Sequence, residues 1–295
     1  MREGYSLGLE LLFMGYCVSP ITLRNPRRIA ESKMIRVPCG KCGACLKARR
    51  DSWSFRLKEE LKDSISAWFV TLTYEDDKIE WSDEGFQTLN KRTLQLFLKR
   101  LRKKQSEISE VKIRYYAVGE YGSKTDRPHY HIILFNLHKV IVTEISQVWG
   151  LGQVHVGDVN DRSIHYITKY HVNRRLHPEM DDMRSPEFTL MSTKPGIGNG
   201  YIRRNSRWHV QNMYGYVRNG QYKQSMPHYY RDRIFSKGQL NGIAARAIRD
   251  IDRKYYLNII YLQKLGNPMP EFDLEIRDLF YAQNYVAKST DRDLF

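Results

Sequence analysis

The chain lacks any long apolar run, and none of its segments approaches the roughly 18 residues that a membrane span requires. One short apolar patch, Leu7–Phe13, is interrupted by Glu10 and has no basic run before it. We therefore expect no signal peptide and no membrane partner. With 295 residues, the chain is long enough for one large domain or two small ones.

Cysteine is scarce, and all four cysteines lie in the first 45 residues. Cys39, Cys42 and Cys45 are each separated by two residues, and Cys17 precedes them. This usage argues against a disulfide framework and favours a cytosolic location. The spacing fits a structural Zn²⁺ site formed by all four thiols, but an iron–sulfur cluster and metal-free thiols remain alternatives.

Acidic residues are outnumbered, with 33 Asp and Glu against 48 Lys and Arg, which gives a formal net charge of +15. Such an excess favours an anionic partner such as nucleic acid, although acidic proteins would also fit. The chain also has 20 Tyr and 5 Trp, whose rings could stack on unpaired bases.

Hydrophobic patterning predicts alternating helices and strands. Helices are expected over 43–64, 91–104, 160–173, 239–265 and 271–287, and strands over 67–74, 111–119, 129–135 and 153–159. The short connection 121–128 requires an antiparallel pair of strands. We therefore predict an α+β fold with a mainly antiparallel central sheet flanked by helices.

The predicted organisation has three parts. An irregular N-terminal region with the cysteines covers 1–50, a main domain covers 51–235, and a helical segment covers 236–295. Within the main domain, residues 178–235 show no periodic pattern, so long loops are expected there.

His129-Tyr130-His131 is the most informative triplet. Residues two apart in a strand share a face, so both imidazoles can reach one ion while Tyr130 turns away. If 121–128 closes a hairpin, Glu120 lies opposite His129 and adds a carboxylate. Two histidines and an acid form a plausible catalytic site for a divalent metal. Two unrelated surface histidines are the alternative.

A second cluster follows the last predicted strand of the main domain. On a helix, Tyr166 and Tyr170 share one face, and Lys169 flanks them. An activated phenol is a suitable nucleophile for a phosphodiester, and a neighbouring cation favours the phenolate. A helix that buries two tyrosines in the core is the alternative.

Three segments in order resemble the motifs of the rolling-circle replication initiators, the HUH endonuclease superfamily. They are FVTLTY (69–74), RPHYHIILF (127–135) and YITKY (166–170). The paired tyrosines resemble the two-tyrosine branch of isometric single-stranded DNA phages. Three further segments, VPCGKCGAC (37–45), AVGEYG (117–122) and EFTLMSTKPGIGNGY (187–201), are similar to the initiators of gokushoviruses, within the microviruses. The resemblance covers roughly residues 17–201.

The resemblance implies a nicking enzyme. A tyrosine attacks origin DNA, forms a 5′-phosphotyrosine link and frees a 3′-hydroxyl for a polymerase, and a second tyrosine permits rejoining of the displaced strand. By matching position, Tyr166 and Tyr170 are nucleophiles, Lys169 is the motif lysine, and His129, His131 and Glu120 hold Mg²⁺ or Mn²⁺. Expected partners are single-stranded origin DNA and the host helicase and polymerase, in the host cytoplasm.

Other interpretations remain open. One is a transposase or relaxase of the same superfamily, and another is a non-catalytic, zinc-stabilised nucleic-acid-binding protein. The glycine-rich segment 194–200 lacks the strand and helix context of a phosphate loop, so nucleotide hydrolysis is not expected. The resemblance also leaves sixteen residues before Cys17 without a counterpart, so Met14 is a candidate start.

Overall fold

The computed structural model describes Cys17 and the ranges 21–24, 34–122, 125–169 and 183–246. The predictions for Tyr170, for the end of the helix that follows Asn160 and for residues 247–295 lie outside the described residues. Within them, no helix is long and apolar enough to cross a membrane.

The described elements alternate along the chain. The strands are β1 (Ile21–Arg24), β2 (Met34–Val37), β3 (Ala67–Leu72), β4 (Arg114–Tyr121), β5 (Pro128–Phe135), β6 (Val154–Asp158), β7 (Phe188–Met191), β8 (Tyr216–Asn219) and β9 (Tyr222–Ser225). The helices are α1 (Gly43–Asp63), α2 (Lys91–Ser106), α3 (Lys139–Val142), α4 (Ile145–Trp149), α5 (Asp161–Thr168), α6 (Gly200–Asn212) and α7 (His228–Ile234). Residues 237–246 are also helical.

The chain forms two compact units. In its described part, one unit comprises Cys17 to Trp53 and 201–246, and the other comprises 54–169 and 183–200. The second unit contains a five-stranded sheet in the order β6-β3-β5-β4-β7, with antiparallel pairing throughout. The predicted α+β class with an antiparallel sheet is therefore confirmed, and β5 is its middle strand.

The sheet buries one face against α2. Tyr130, Ile132 and Leu134 alternate along β5 and join the apolar core, as the two-residue period of a strand requires. Helix α2 contributes its predicted apolar stripe, Leu94, Phe97, Leu98 and Leu101, all buried. Its first turn is fixed by Asn90, whose side chain accepts hydrogen bonds from the backbone N–H groups of Arg92 and Thr93.

The prediction of long loops over 178–235 is wrong. Strand β7 adds a fifth strand beside β4, and α6, the β8–β9 hairpin and α7 follow. Helix α6 carries no apolar stripe that periodicity could detect, because its buried residues are only Tyr201 and His209. The hairpin had a detectable signal, the turn dipeptide Asn219-Gly220, in which Gly220 has a φ of 62°.

The glycine-rich segment 194–200 is a packed turn. Arg114 donates to the carbonyl oxygens of Pro195 and Gly196, and the backbone N–H of Gly198 donates to buried Glu60 at 2.7 Å. Arg114 and Glu60 also form an ion pair. These contacts tie the turn to β4 and α1 within the same unit, which gives the segment a structural role.

Candidate active site

The hairpin of β4 and β5 brings one carboxylate and two imidazoles together. Glu120 pairs directly with His129 across the two strands, and His131 follows on the same face. Nε2 of each histidine lies 2.8 Å from Oε1 of Glu120. Their ligand atoms all lie within 4.8 Å of one another, so the three side chains could hold one metal ion.

The outer nitrogen of each imidazole has its own partner. Nδ1 of His129 lies 3.1 Å from the carbonyl oxygen of Arg127, and Nδ1 of His131 lies 3.0 Å from Oγ1 of Thr71. Because a carbonyl oxygen only accepts, Nδ1 of His129 carries the proton in this contact. In the neutral ring, the lone pair of Nε2 is then directed at the carboxylate. Metal-binding histidines are commonly oriented in this way.

Burial and hydrogen bonding set the charges of this group. Burial opposes ionisation of Glu120, but the hydrogen bonds of His129 and His131 outweigh it and lower the pKa of the carboxyl. Burial lowers the pKa of His131, and Glu120 offsets this only in part. The group therefore favours an ionised carboxylate beside a neutral His131.

Tyr166 reaches the same group from helix α5. The helix begins at Asn160, as predicted, where Asn160 and Ser163 form a reciprocal capping box. The phenol of Tyr166 donates to Oε1 of Glu120 at 3.0 Å, and its oxygen lies 3.1 Å from Nε2 of His131. The ring lies edge-on to His131, with centroids 4.9 Å apart.

Two supporting residues received no role from the sequence. Phe69 stacks on His131 with ring centroids 5.6 Å apart and meets Tyr166 edge-on. Thr71 pairs with His131 across β3 and β5 and contacts its ring nitrogen. Their alternate positions on a strand beside β5 were the available signal. Lys169 is half-buried at the end of α5, whereas Tyr170 lies outside the described residues.

The four cysteines converge in the other unit. Sγ of Cys42 lies 3.8 Å from Sγ of Cys17, and Sγ of Cys39 lies 4.0 Å from that of Cys45. All four sulfurs lie within 4.8 Å of one another, and none is in a disulfide. The structure therefore presents a second group of side chains that could hold a metal.

Backbone N–H groups surround these sulfurs. Cys39 donates to Sγ of Cys17 at 3.1 Å, and Cys42 donates to Sγ of Cys39 at 3.3 Å. The N–H groups of Lys41 and Cys42 lower the pKa of Cys39 to about 6, whereas burial raises the pKa of Cys45. Stabilisation of a thiolate favours metal binding.

Comparison with known proteins gives a consistent set of relatives. Residues 67–174 match the family model of the replication-associated protein ORF2. The chain is 31% identical over 185 residues to replication-associated protein ORF2 of Spiroplasma virus 4, an alignment that covers 57% of this chain and 58% of the relative. It is 28% identical over 219 residues to replication-associated protein VP4 of Bdellovibrio phage phiMH2K, covering 66% of each chain.

A third relative is replication-associated protein ORF4 of Chlamydia phage 1, which is 26% identical over 153 residues, or 45% of this chain and 37% of the relative. The chain thus spans less than two thirds of the length of these relatives. No solved structure matches it significantly. The matches confirm the predicted resemblance to the replication initiators of microviruses.

Proposed function

We propose that this relative of the phage replication-associated proteins is a replication initiator that nicks single-stranded origin DNA, with Tyr166 as nucleophile. Glu120, His129 and His131 would hold the divalent ion that the reaction needs. One observation carries the proposal: the phenol oxygen of Tyr166 lies 3.0 Å from Oε1 of Glu120 and 3.1 Å from Nε2 of His131. A phosphate bound at this group would lie within reach of the phenol.

The donor set fits a divalent cation. A carboxylate and the lone pair of Nε2 of His129 face each other at 2.8 Å, so a proton or a cation must lie between them. Two nitrogen ligands and one oxygen ligand leave further positions for a substrate, as is typical of catalytic Mg²⁺ or Mn²⁺ sites. Such an ion supplies charge neutralisation at the phosphate.

The remaining chemistry falls to the protein itself. The phenol oxygen attacks phosphorus and forms the phosphotyrosine bond, while the bond from phosphorus to the 3′ oxygen breaks and releases a 3′-hydroxyl. Oε1 of Glu120 already accepts the hydrogen bond of the phenol, so it is the nearest base for the proton of Tyr166. By its resemblance to the family motif, Tyr170 makes the second cut and permits rejoining, and Lys169 supplies a positive charge beside the tyrosines.

The test uses overlapping single-stranded oligonucleotides that tile the viral genome, each labelled at its 3′ end. A 5′-phosphotyrosine keeps the label on the protein, so a labelled, denaturant-resistant band should form with Mn²⁺ and disappear with a chelator. The Tyr166→Phe, Tyr170→Phe double variant should give no band. Tyr222→Phe, which alters a tyrosine that is 68% exposed in the other unit, is the matched control and should retain it.

Two other outcomes separate the alternatives. Binding of the oligonucleotides without any adduct, unaffected by the double variant, would indicate a non-catalytic nucleic-acid-binding protein. An adduct that forms only with transposon-end or plasmid-transfer sequences would indicate a transposase or relaxase.

The cysteine group is proposed as a structural Zn²⁺ site. Four thiolates at a Zn–S distance of about 2.3 Å form a tetrahedron with edges of about 3.8 Å. Two of the sulfur separations, 3.8 Å and 4.0 Å, match that edge. In a cubane cluster each cysteine binds a different iron, which holds the sulfurs farther apart. The site would tie Cys17 to the start of α1 without a catalytic role.

The proposed reaction also defines partners and a location. A free 3′-hydroxyl is a primer, so a host polymerase and helicase would act on the nicked strand. Both are found in the host cytoplasm, where we propose that the protein acts.

A further inference from the structure

Three aromatic rings form a row on the unit that contains α6 and the β8–β9 hairpin. The ring centroids of Trp208 and Tyr214 lie 5.6 Å apart, and those of Tyr214 and Tyr216 lie 5.0 Å apart. Nζ of Lys223 lies 5.0 Å from the centroid of Tyr216, at one end of the row. We call Trp208, Tyr214 and Tyr216 the aromatic row.

The aromatic row is exposed, although large rings usually serve a protein by being buried. Trp208 is 45% exposed and Tyr214 is 37% exposed. The buried residues of α6 are Tyr201 and His209, so Trp208 is not needed to anchor that helix. An exposed cluster of large aromatic residues marks an interaction site more often than a structural one.

A buried hydrogen-bond chain holds the row in place. His209 is 1% exposed, and its Nδ1 donates to the carbonyl oxygen of Tyr214 at 3.0 Å. Its Nε2 then accepts from the hydroxyl of Tyr201 at 2.7 Å. The ring of Trp208 lies edge-on to His209, with centroids 4.9 Å apart. These contacts fix α6 to the segment that carries Tyr214, so the rings are ordered before any ligand binds.

The surrounding charge is strongly one-sided. Residues 200–246 contain a single acid, Asp232, and nine basic residues. The basic residues are Arg203, Arg204, Arg207, Arg218, Lys223, Arg231, Arg233, Lys237 and Arg246. Rings flanked by cations complement a ligand that has both flat faces and negative charge, which is the chemistry of a nucleic acid.

We infer that the aromatic row is a docking surface for single-stranded DNA, on which unpaired bases stack while the neighbouring Lys and Arg side chains contact phosphates. Paired bases present only their edges in a groove, so this mode selects unpaired strands without reading sequence. The inference rests on the proposed function for the choice of DNA as the partner. It assigns DNA contacts to a surface on a different unit from the Tyr166 group.

The test measures binding without cleavage. Fluorescence anisotropy of a labelled oligothymidylate of about 20 nucleotides, in the presence of a chelator, gives the Kd. Trp208→Ala should raise the Kd roughly 5- to 150-fold, the loss of one base–aromatic stack. Trp208→Phe, which preserves a stacking ring, should recover most of the affinity. Trp81→Ala, which removes a tryptophan that is 59% exposed in the other unit, is the matched control and should leave the Kd unchanged.

Two results would overturn the inference. One is a Kd for Trp208→Ala equal to that of the wild type. The other is an equal loss of affinity for single-stranded and duplex DNA of the same length, which would indicate charge rather than stacking. Thermal unfolding of each variant checks that the fold is kept. The proposed function fails separately, since a wild-type protein that binds oligothymidylate but forms no adduct would refute nicking alone.

Discussion

The phenol oxygen of Tyr166 lies 3.1 Å from Nε2 of His131, although the residues are 35 positions apart in the chain. His131 is on the middle strand of the sheet, and Tyr166 is on α5, which follows the edge strand β6. The fold therefore brings together a nucleophile candidate and a metal-binding candidate that neither element could supply alone.

Tyr166→Phe should abolish chemistry but not DNA binding. It removes one oxygen atom and leaves the ring that contacts Phe69 and His131. We expect the rate of adduct formation on 3′-labelled DNA to fall at least about 1000-fold, as is typical for loss of a nucleophile, while the Kd stays unchanged. A variant with an unaltered rate would assign the first attack to another residue.

Thr71→Val should weaken the metal site without removing a proposed ligand. Valine keeps the shape of threonine but cannot bond to Nδ1 of His131, which Oγ1 contacts at 3.0 Å. Loss of such a partner typically lowers metal affinity by about 10- to 100-fold. Mn²⁺ titrations of nicking, and of Mn²⁺ binding by electron paramagnetic resonance, should both shift by this factor.

Thr73→Val is the matched control for that experiment. Thr73 lies just beyond the same strand, and its hydroxyl donates to the backbone oxygen of Gln153 rather than to a side chain of the candidate site. We expect its Mn²⁺ titration to match the wild type. Equal shifts in both variants would attribute the effect to β3 as a whole and contradict a specific role for Thr71.

Local periodicity was sufficient to predict part of this site. The two-residue repeat of a strand put His129 and His131 on one face, and the short connection implied that Glu120 lies opposite His129, as observed. The position of Tyr166 over these residues depends on the path through α3, α4 and β6, which no local pattern encodes. Only the resemblance to the initiator motifs linked them before the structure did.

Elsewhere the same reasoning failed for a physical reason. Helix α6 is rich in arginine and buries Tyr201 and His209 through a hydrogen bond rather than an apolar stripe. Periodicity measures apolar repeats, so it cannot detect a helix held in this way. Strand β7 is only four residues long, which gives a two-residue alternation too few repeats to be recognised.

Cys17→Ala should release the proposed zinc. Cys17 contributes one of four converging sulfurs from a position 22 residues before Cys39. We expect metal analysis of the purified wild-type protein to give about one zinc per chain, and the variant to contain far less and to melt at a lower temperature. Iron with acid-labile sulfide in the wild type, or no metal at all, would contradict the assignment.

Gly152→Ala should destabilise the sheet beside the candidate site. A Cβ at this position would lie 2.5 Å from the carbonyl oxygen of Thr73 and 2.6 Å from the backbone nitrogen of Glu75. Backbone atoms cannot move aside as a flexible side chain can, and the same Thr73 oxygen accepts a hydrogen bond from Trp149 at 2.7 Å. We expect the free energy of unfolding to fall by about 3 kcal/mol or more in urea denaturation.

Gly85→Ala separates the lack of space from backbone strain. Gly85 has a φ of 80°, and nothing lies within 4 Å of an added Cβ, so the substitution carries only the penalty of a left-handed conformation. That penalty is about 1 kcal/mol. A Gly152→Ala variant no less stable than Gly85→Ala would mean that the backbone around Thr73 can yield. Because Thr71 is two residues away on the same strand, such yielding would also remove the reason to expect a rigidly held His131.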